Sequence, residues 1–339
     1  MNRNRPITKT DVARAIGVSH MTVTRVLHDS TLVREATRKR VLAACRRLNY
    51  RPNLIAASLR MRKSHVFGVV VPSLSHSYFA RLISAVESKA GASGYHILVT
   101  QILKQELQHI DQISFLLGQR IEGVFIAMRR CGKPVYDCFK SGGIPIVFLD
   151  NPGPKGAVFI GTEDYQGGFK AAAHLIGLGH RRIAHITGPT DHYTARQRLQ
   201  GYLAALKAHG IRSDKNDVIF TNFQSIDGYQ AAERLFQAGA KHTAVFCAND
   251  YLAVGFMSWA YNHGIKVPEQ MSVIGFTGDE IGQYSAPPLT TMVQHTGIMG
   301  IKAVEQMLAL IEGRRVCSRI LVPPELLVRG STSKIQPLQ

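Results

Sequence analysis

The chain has 339 residues, 45% hydrophobic and 19% charged, a composition that suits two or three folded domains. Its 41 Lys and Arg against 23 Asp and Glu leave a net charge of +18, which points to a polyanionic partner, nucleic acid first. No apolar run reaches the roughly 20 residues of a membrane span, and the opening MNRNRPITKT lacks the apolar stretch of a secretory signal, so no membrane partner is expected.

The charge is concentrated at one end. Residues 1–64 hold 15 basic and three acidic side chains, a net of +12. Residues 8–49 read as three short helices without a strand. Thr8 and Asp11 have the spacing of a capping box, and Val12, Ala13 and Ile16 form an apolar stripe behind it. Gly17 breaks the first helix, and Ser19 can cap a second one that carries Val23, Val26 and Leu27 on one face. A third helix is predicted from about Arg34 to Leu48, with Val41, Leu42, Cys45 and Leu48 turned inward. Helix, glycine turn and helix over 9–28 make a helix-turn-helix, whose second helix would enter the major groove of DNA. His20, Met21 and Arg25 then face base edges, with Arg25 able to fork onto a guanine and Met21 to pack on a thymine methyl. Thr10, Ser19, Thr22, Thr24 and Asn53 are candidate backbone partners. A small helical bundle with no DNA function is the plain alternative.

Arg51-Pro52-Asn53 ends the third helix, and LIAASLRM (54–61) is too short to hold a helix alone. From His65 the pattern changes to apolar strands alternating with amphipathic helices. Strands are predicted at 65–72, 96–101, 123–128 and 144–150, with helices such as 78–92 and 105–119 between them. A second series follows at 182–188, 217–222, 244–249 and 271–276. Two such series mean two doubly wound parallel-sheet lobes, with a ligand cleft at the carboxyl ends of the strands. The five cysteines form no CxxC pair and read as reduced core thiols of a cytoplasmic protein. The 14 histidines show no metal spacing, and GxSxG, HExxH and GxxxxGK[ST] are missing, so neither an enzyme nor a cofactor or metal is expected. GLGHRR (177–182) is half a dinucleotide fingerprint and reads as a helix end and a turn.

Six segments in order resemble the lactose/galactose-repressor family of bacterial transcription regulators. They are TDVARAIGVSHMTVTRVLH (10–28), TRKRVLAACRRLNYRPN (37–53), AASLRMRKSHVFGVVVP (56–72), FCANDYLAVG (246–255), VPEQMSVIGF (267–276) and PPLTTMVQ (287–294). The resemblance implies a helix-turn-helix headpiece (1–50), a hinge helix or linker (51–63) and a periplasmic-binding-protein-like core (64–339). It divides the core into an N-subdomain (64–162 and 294–322) and a C-subdomain (163–291 and 323–335). It implies a homodimer on palindromic operator DNA. The hinge at 53–61 would fold on the operator, Leu59 wedging into the minor groove with Ala57 beside it. Leu59 could otherwise be an ordinary hydrophobe under the core.

For a small-molecule effector between the lobes, the resemblance points to Tyr78, Phe79, Asp150, Arg198, Phe223, Asn249 and Gln294. Asp150 and Asp250 could instead be helix N-caps, Phe223 plain core and Arg198 a surface residue. Where family sugar binders carry an acid after the strand ending Gly-Phe, this chain has Thr277, and Asp279 comes two residues later. That form, with HMTVTR in the recognition helix, resembles the gluconate-repressor branch. Arg129, Arg130, Arg196, Arg198 and His192 could supply positive charge, so the expected effector is a sugar acid such as gluconate or 2-ketogluconate. The alternatives are a neutral sugar or a purine-type corepressor in the same family, or a sugar-binding protein without DNA function.

Overall fold

The computed structural model describes residues 7–27, 32–50, 63–102, 106–128, 133–239 and 241–335, and the chain divides into two compact units at Ser64. The first unit is helical: α1 (Lys9–Ile16), α2 (His20–Leu27) and α3 (Glu35–Arg47). Thr8 N–H donates to Asp11 Oδ2 at 2.9 Å and Asp11 N–H returns to Thr8 Oγ1 at 3.3 Å, closing the expected capping box. Gly17 ends α1 at φ 67°, the left-handed turn that a side chain would strain. Arg40 on α3 donates to the Ile16 carbonyl at 2.9 Å, which satisfies one of the last acceptors of α1. Val12, Ala13, Val23, Val26, Val41, Ala44 and Cys45 form the buried core. Leu42, expected inside, is 39% exposed, because Ala44 and Cys45 already fill the inner face of α3.

The second unit begins with β1 (Val66–Val71), α4 (Ser77–Ala92), β2 (His96–Gln101), α5 (Glu106–Gly118), β3 (Gly123–Ile126), α6 (Lys133–Ser141), β4 (Ile146–Leu149) and β5 (Val158–Thr162). The chain then builds another lobe from α7 (Asp164–Gly177), β6 (Ile183–Thr187), α8 (Tyr193–Ala208), β7 (Val218–Phe220), α9 (Ser225–Gln237) and β8 (Ala244–Cys247). That lobe continues through α10 (Asp250–Asn262), β9 (Ser272–Thr277), α11 (Glu280–Gln283) and β10 (Thr290–Val293). It returns to the first lobe with α12 (Thr296–Ile311) and β11 (Arg319–Val322) and crosses back with β12 (Glu325–Leu327).

Each lobe holds a six-stranded sheet, ordered β11-β5-β4-β3-β1-β2 and β12-β10-β9-β8-β6-β7. Every pairing is parallel except β10 with β12. Continuous Val, Ile and Phe runs form these strands because helices cover both faces. In the first lobe, Phe67, Val69, Leu82, Val86, Met299 and Met307 pack on one face, and Ile113, Leu116, Phe139 and Phe148 on the other. In the second, Leu235, Phe256 and Trp259 cover one face, and Leu175, Tyr202 and Leu206 the other.

The cysteines only partly fit the reading of core thiols. Cys45 and Cys247 are buried, whereas Cys138 is half-buried and Cys317 is exposed in the turn before β11. GLGHRR is the end of α7 and a turn, with buried His180 bridging Thr243 Oγ1 at 2.8 Å and Ser272 Oγ at 3.0 Å. The expected hinge at 53–61, with Asn53, Ala57 and Leu59, lies outside the described residues, as do Arg129, Arg130 and Cys131.

Candidate functional site

In the headpiece, α2 presents His20, Met21 and Arg25 on an exposed face, with Met21 57% exposed. An exposed methionine on a helix whose valines are buried is available for contact rather than packing. Ser19 Oγ accepts the Thr22 N–H at 3.0 Å and shares a 2.8 Å hydrogen bond with the Thr22 hydroxyl, so this pair fixes the start of α2. Thr10 is exposed on α1. Thr24 differs: its hydroxyl oxygen is buried and meets no hydrogen-bond partner among the described residues.

In the core, the carboxyl ends of the two sheets meet. Ser77, after β1, bonds Asp279, after β9, at 2.5 Å, and Gln294 Nε2, after β10, donates to Thr162 Oγ1 at the end of β5 at 2.7 Å. Between these bridges lies a polar group. Tyr78 is buried and donates its hydroxyl to Asp150 Oδ1 at 2.8 Å. Arg198, also buried, donates Nε to Asp164 Oδ1 at 2.8 Å and Nη1 to the Ala248 carbonyl at 2.6 Å, with its guanidinium 3.9 Å from the centre of the Phe276 ring. Burial lifts the Asp164 carboxyl to about 7; Arg198 opposes that shift and the Asp150 charge adds to it. The Tyr78 hydroxyl is held well above its usual range by burial and by Asp150.

Three acceptors are left over. Asp164 Oδ2, Asn151 Oδ1 and Gln294 Oε1 are buried with no hydrogen-bond partner among the described residues. Such atoms cost free energy unless something supplies a donor. Arg198 is the single buried Arg or Lys among the described residues, whereas Asp150, Asp164, Asp250 and Asp279 are all buried.

The remaining expected positions take different places. Phe223 has φ 71° and sets its ring edge-on to His192, with centroids 5.2 Å apart. Phe79 is half-buried beside Tyr78, 5.2 Å between ring centres. The Asn249 amide accepts the Leu252 N–H at 2.8 Å and donates to the Phe223 carbonyl at 3.0 Å, which is the work of a helix cap and a loop tie. The Thr277 hydroxyl donates to Asp279 Oδ2 at 2.6 Å, and Asp279 also receives Ser77 and Arg81 from the other lobe. Arg196 faces solvent from α8 and adds no charge to the buried group. Sequence reasoning passed over Asp164. It opens a helix after a short strand, where an acid reads as an ordinary first-turn residue.

A family profile described as bacterial regulatory proteins, lacI family, matches residues 8–53, and one described as a periplasmic binding protein-like domain matches residues 172–332. The HTH-type transcriptional repressor PurR of Haemophilus influenzae (strain PittEE) is 32% identical over 330 residues, 96% of this chain and 98% of its own. The chain belongs to the lacI family of bacterial regulatory proteins. The lac repressor dimer bound to operator and the anti-inducer ONPF matches this lacI-family chain with a TM-score of 0.88 at 29% identity, covering 97% of this chain and 100% of the other. The transcriptional regulator CelR in complex with cellobiose matches with a TM-score of 0.75 at 28% identity, covering 96% and 100%. The lacI-family chain is thus a DNA-binding regulator with a periplasmic-binding-protein-like core.

Proposed function

We propose that this chain is a dimeric, effector-controlled repressor whose cleft takes a neutral ligand rich in hydrogen-bond donors, of the purine type ahead of a sugar acid. The observation that carries the choice is the charge of the cleft. Asp150 and Asp164 are buried beside one buried guanidinium, and that guanidinium is already bonded to Asp164. A carboxylate ligand entering there meets repulsion with no free buried Arg or Lys among the described residues to answer it. A ring bearing N–H groups would instead supply the donors that Asp164 Oδ2, Asn151 Oδ1 and Gln294 Oε1 lack. Tyr78, Phe79 and Phe223 provide aromatic surface for such a ring. The similarity to the purine repressor PurR over nearly the whole chain supports the same class.

Operator control follows from linkage. The net +12 of residues 1–64 neutralises phosphates, and α2 offers Arg25, His20 and Met21 to base edges. A cleft ligand that prefers one lobe arrangement shifts the operator affinity, and operator DNA shifts the ligand affinity by the same factor. The hinge and its Leu59 wedge belong to this proposal through the family resemblance.

A sugar acid is the second reading, supported by Thr277 standing where an acid would repel it. Isothermal titration of the full chain with hypoxanthine, guanine, ribose, gluconate and 2-ketogluconate separates the two. Binding of hypoxanthine or guanine, weakened by Asp164→Asn, is expected. Binding of gluconate or 2-ketogluconate alone would overturn the purine-type assignment.

A further inference from the structure

Arg81 and Ser77 come from α4 in the first lobe, and both end on one short loop of the second. Arg81 Nη1 donates to the Gly278 carbonyl at 3.0 Å, Nη2 donates to the Thr277 carbonyl at 3.2 Å, and Nη2 also lies 2.9 Å from Asp279 Oδ1. Ser77 adds its hydroxyl to the same carboxylate oxygen. His76 sets its ring 4.8 Å from that of Tyr251 on α10, so three residues at the start of α4 reach across to the second lobe here.

The loop is shaped to receive this fork. Thr277 has φ 123° and Gly278 φ 67°, and with both at positive φ the two carbonyls accept from one guanidinium. A β-branched residue avoids that region, so the conformation persists only because its surroundings determine it. The loop is also fixed from behind: the Asp279 N–H donates to Asp250 Oδ2 at 2.6 Å, and Asp250 Oδ1 accepts the Thr291 hydroxyl at 2.5 Å. A side chain from the first lobe is therefore bonded into a rigid part of the second. Arg81 keeps about a third of its surface in solvent while Asp279 is fully covered. The contact can separate at the Arg81 end without dismantling either core.

We propose that Arg81 and Ser77 are positioning residues that clamp the 277–279 loop and so hold the two lobes in one arrangement, setting the balance on which effector and operator act. They touch the lobes' relation rather than the polar group at Asp164 and Arg198. The proposal gives the regulation of the cleft read above as the effector site. Its test uses no effector, so a wrong effector class leaves the test intact.

Hydrogen–deuterium exchange on the ligand-free full chain would compare the wild type with Arg81→Ala, Ser77→Ala and Arg81→Lys. In Arg81→Ala, amides at 277–282 should exchange roughly tenfold faster, and so should amides at 150–151 and 192–196, elsewhere along the cleft. Amides within β6 and β8 should keep their wild-type rates. Arg81→Lys retains the ion pair but not the fork and should fall between. Arg81→Ala combined with Asp279→Asn should open the cleft no further than either change alone. Faster exchange confined to 277–282 would reduce Arg81 to a local loop tie and overturn the proposal, as would unchanged exchange throughout. Ser77→Ala, which removes one hydroxyl, keeps the test available should Arg81→Ala fail to fold.

Discussion

Asp164 serves two groups at once. One oxygen holds the Arg198 guanidinium, and the other is an unanswered acceptor in the cleft. Asp164→Ala would strand a buried guanidinium and should cost about 3–5 kcal/mol in urea unfolding. Asp164→Asn keeps an acceptor for Arg198 but loses the charge, and should act mainly on ligand affinity. His185 gives a test in pH. It sits fully buried on β6 between the Tyr202 and Phe246 rings, with Nδ1 donating to the Phe246 carbonyl at 2.8 Å. Burial drives its pKa down to about 3, so the folded chain binds a proton there far less readily than the unfolded chain, with its ordinary value of 6.5. The unfolded state then holds more protons between these two values, and the contribution of His185 to stability is lost as pH falls through that window. Melting at pH 7.5 and pH 4.5 should show a smaller acid loss for His185→Phe than for the wild type, by on the order of 2 kcal/mol. An equal loss in both would mean that the imidazole takes up its proton in the fold as readily as in the unfolded chain.

Helix contacts decide where these side chains stand. On α7, a Cβ at Gly168 would lie 2.2 Å from the Arg198 carbonyl oxygen, and on α8 one at Gly201 would lie 2.1 Å from the Tyr165 carbonyl oxygen. The two backbones meet at these glycines, and that close approach aligns Asp164 with Arg198. Gly201→Ala has backbone rather than a flexible side chain to displace. It should destabilise the core by about 1–3 kcal/mol and weaken ligand binding through Arg198, as read by calorimetry. Elements of this kind were legible where one local rule dominates. The capping box, Gly17 and the apolar stripes of α1 and α2 follow from spacing alone, as does the long apolar run of β1. β5, β11 and β12 escaped the sequence reading. They have three to five residues each, and β11 and β12 carry charged ends at sheet margins. That Tyr78, Asp150 and Arg198 come together was legible by family position. The charge balance of the cleft was not, because Asp164 is paired by tertiary packing and Arg196 faces outward on the same helix that turns Arg198 in.

At the scale of the whole chain, charge and ligand chemistry are segregated. The first 64 residues hold a net +12, and the remaining 275 a net +6. A dimer that neutralises about 6–10 phosphates should lose roughly 10³–10⁵ in operator affinity between 50 and 200 mM salt. The core has its own sheets and its own buried clusters beyond Ser64, so a chain starting at residue 65 should fold and keep the cleft. Two titrations then separate binding from coupling. With hypoxanthine or guanine as the probe, the shortened chain and the DNA-free full chain should bind with the same affinity, since the cleft is intact in both. Adding a palindromic promoter fragment that the full chain binds should change the affinity of the full chain alone. Reciprocity requires that change to equal the factor by which the base alters promoter binding. If the shortened chain also responds to the fragment, the core itself contacts DNA and the headpiece is not the sole reader. If neither responds while the full chain still binds the fragment, the cleft and the headpiece are uncoupled, and the lobes do not carry the message between them.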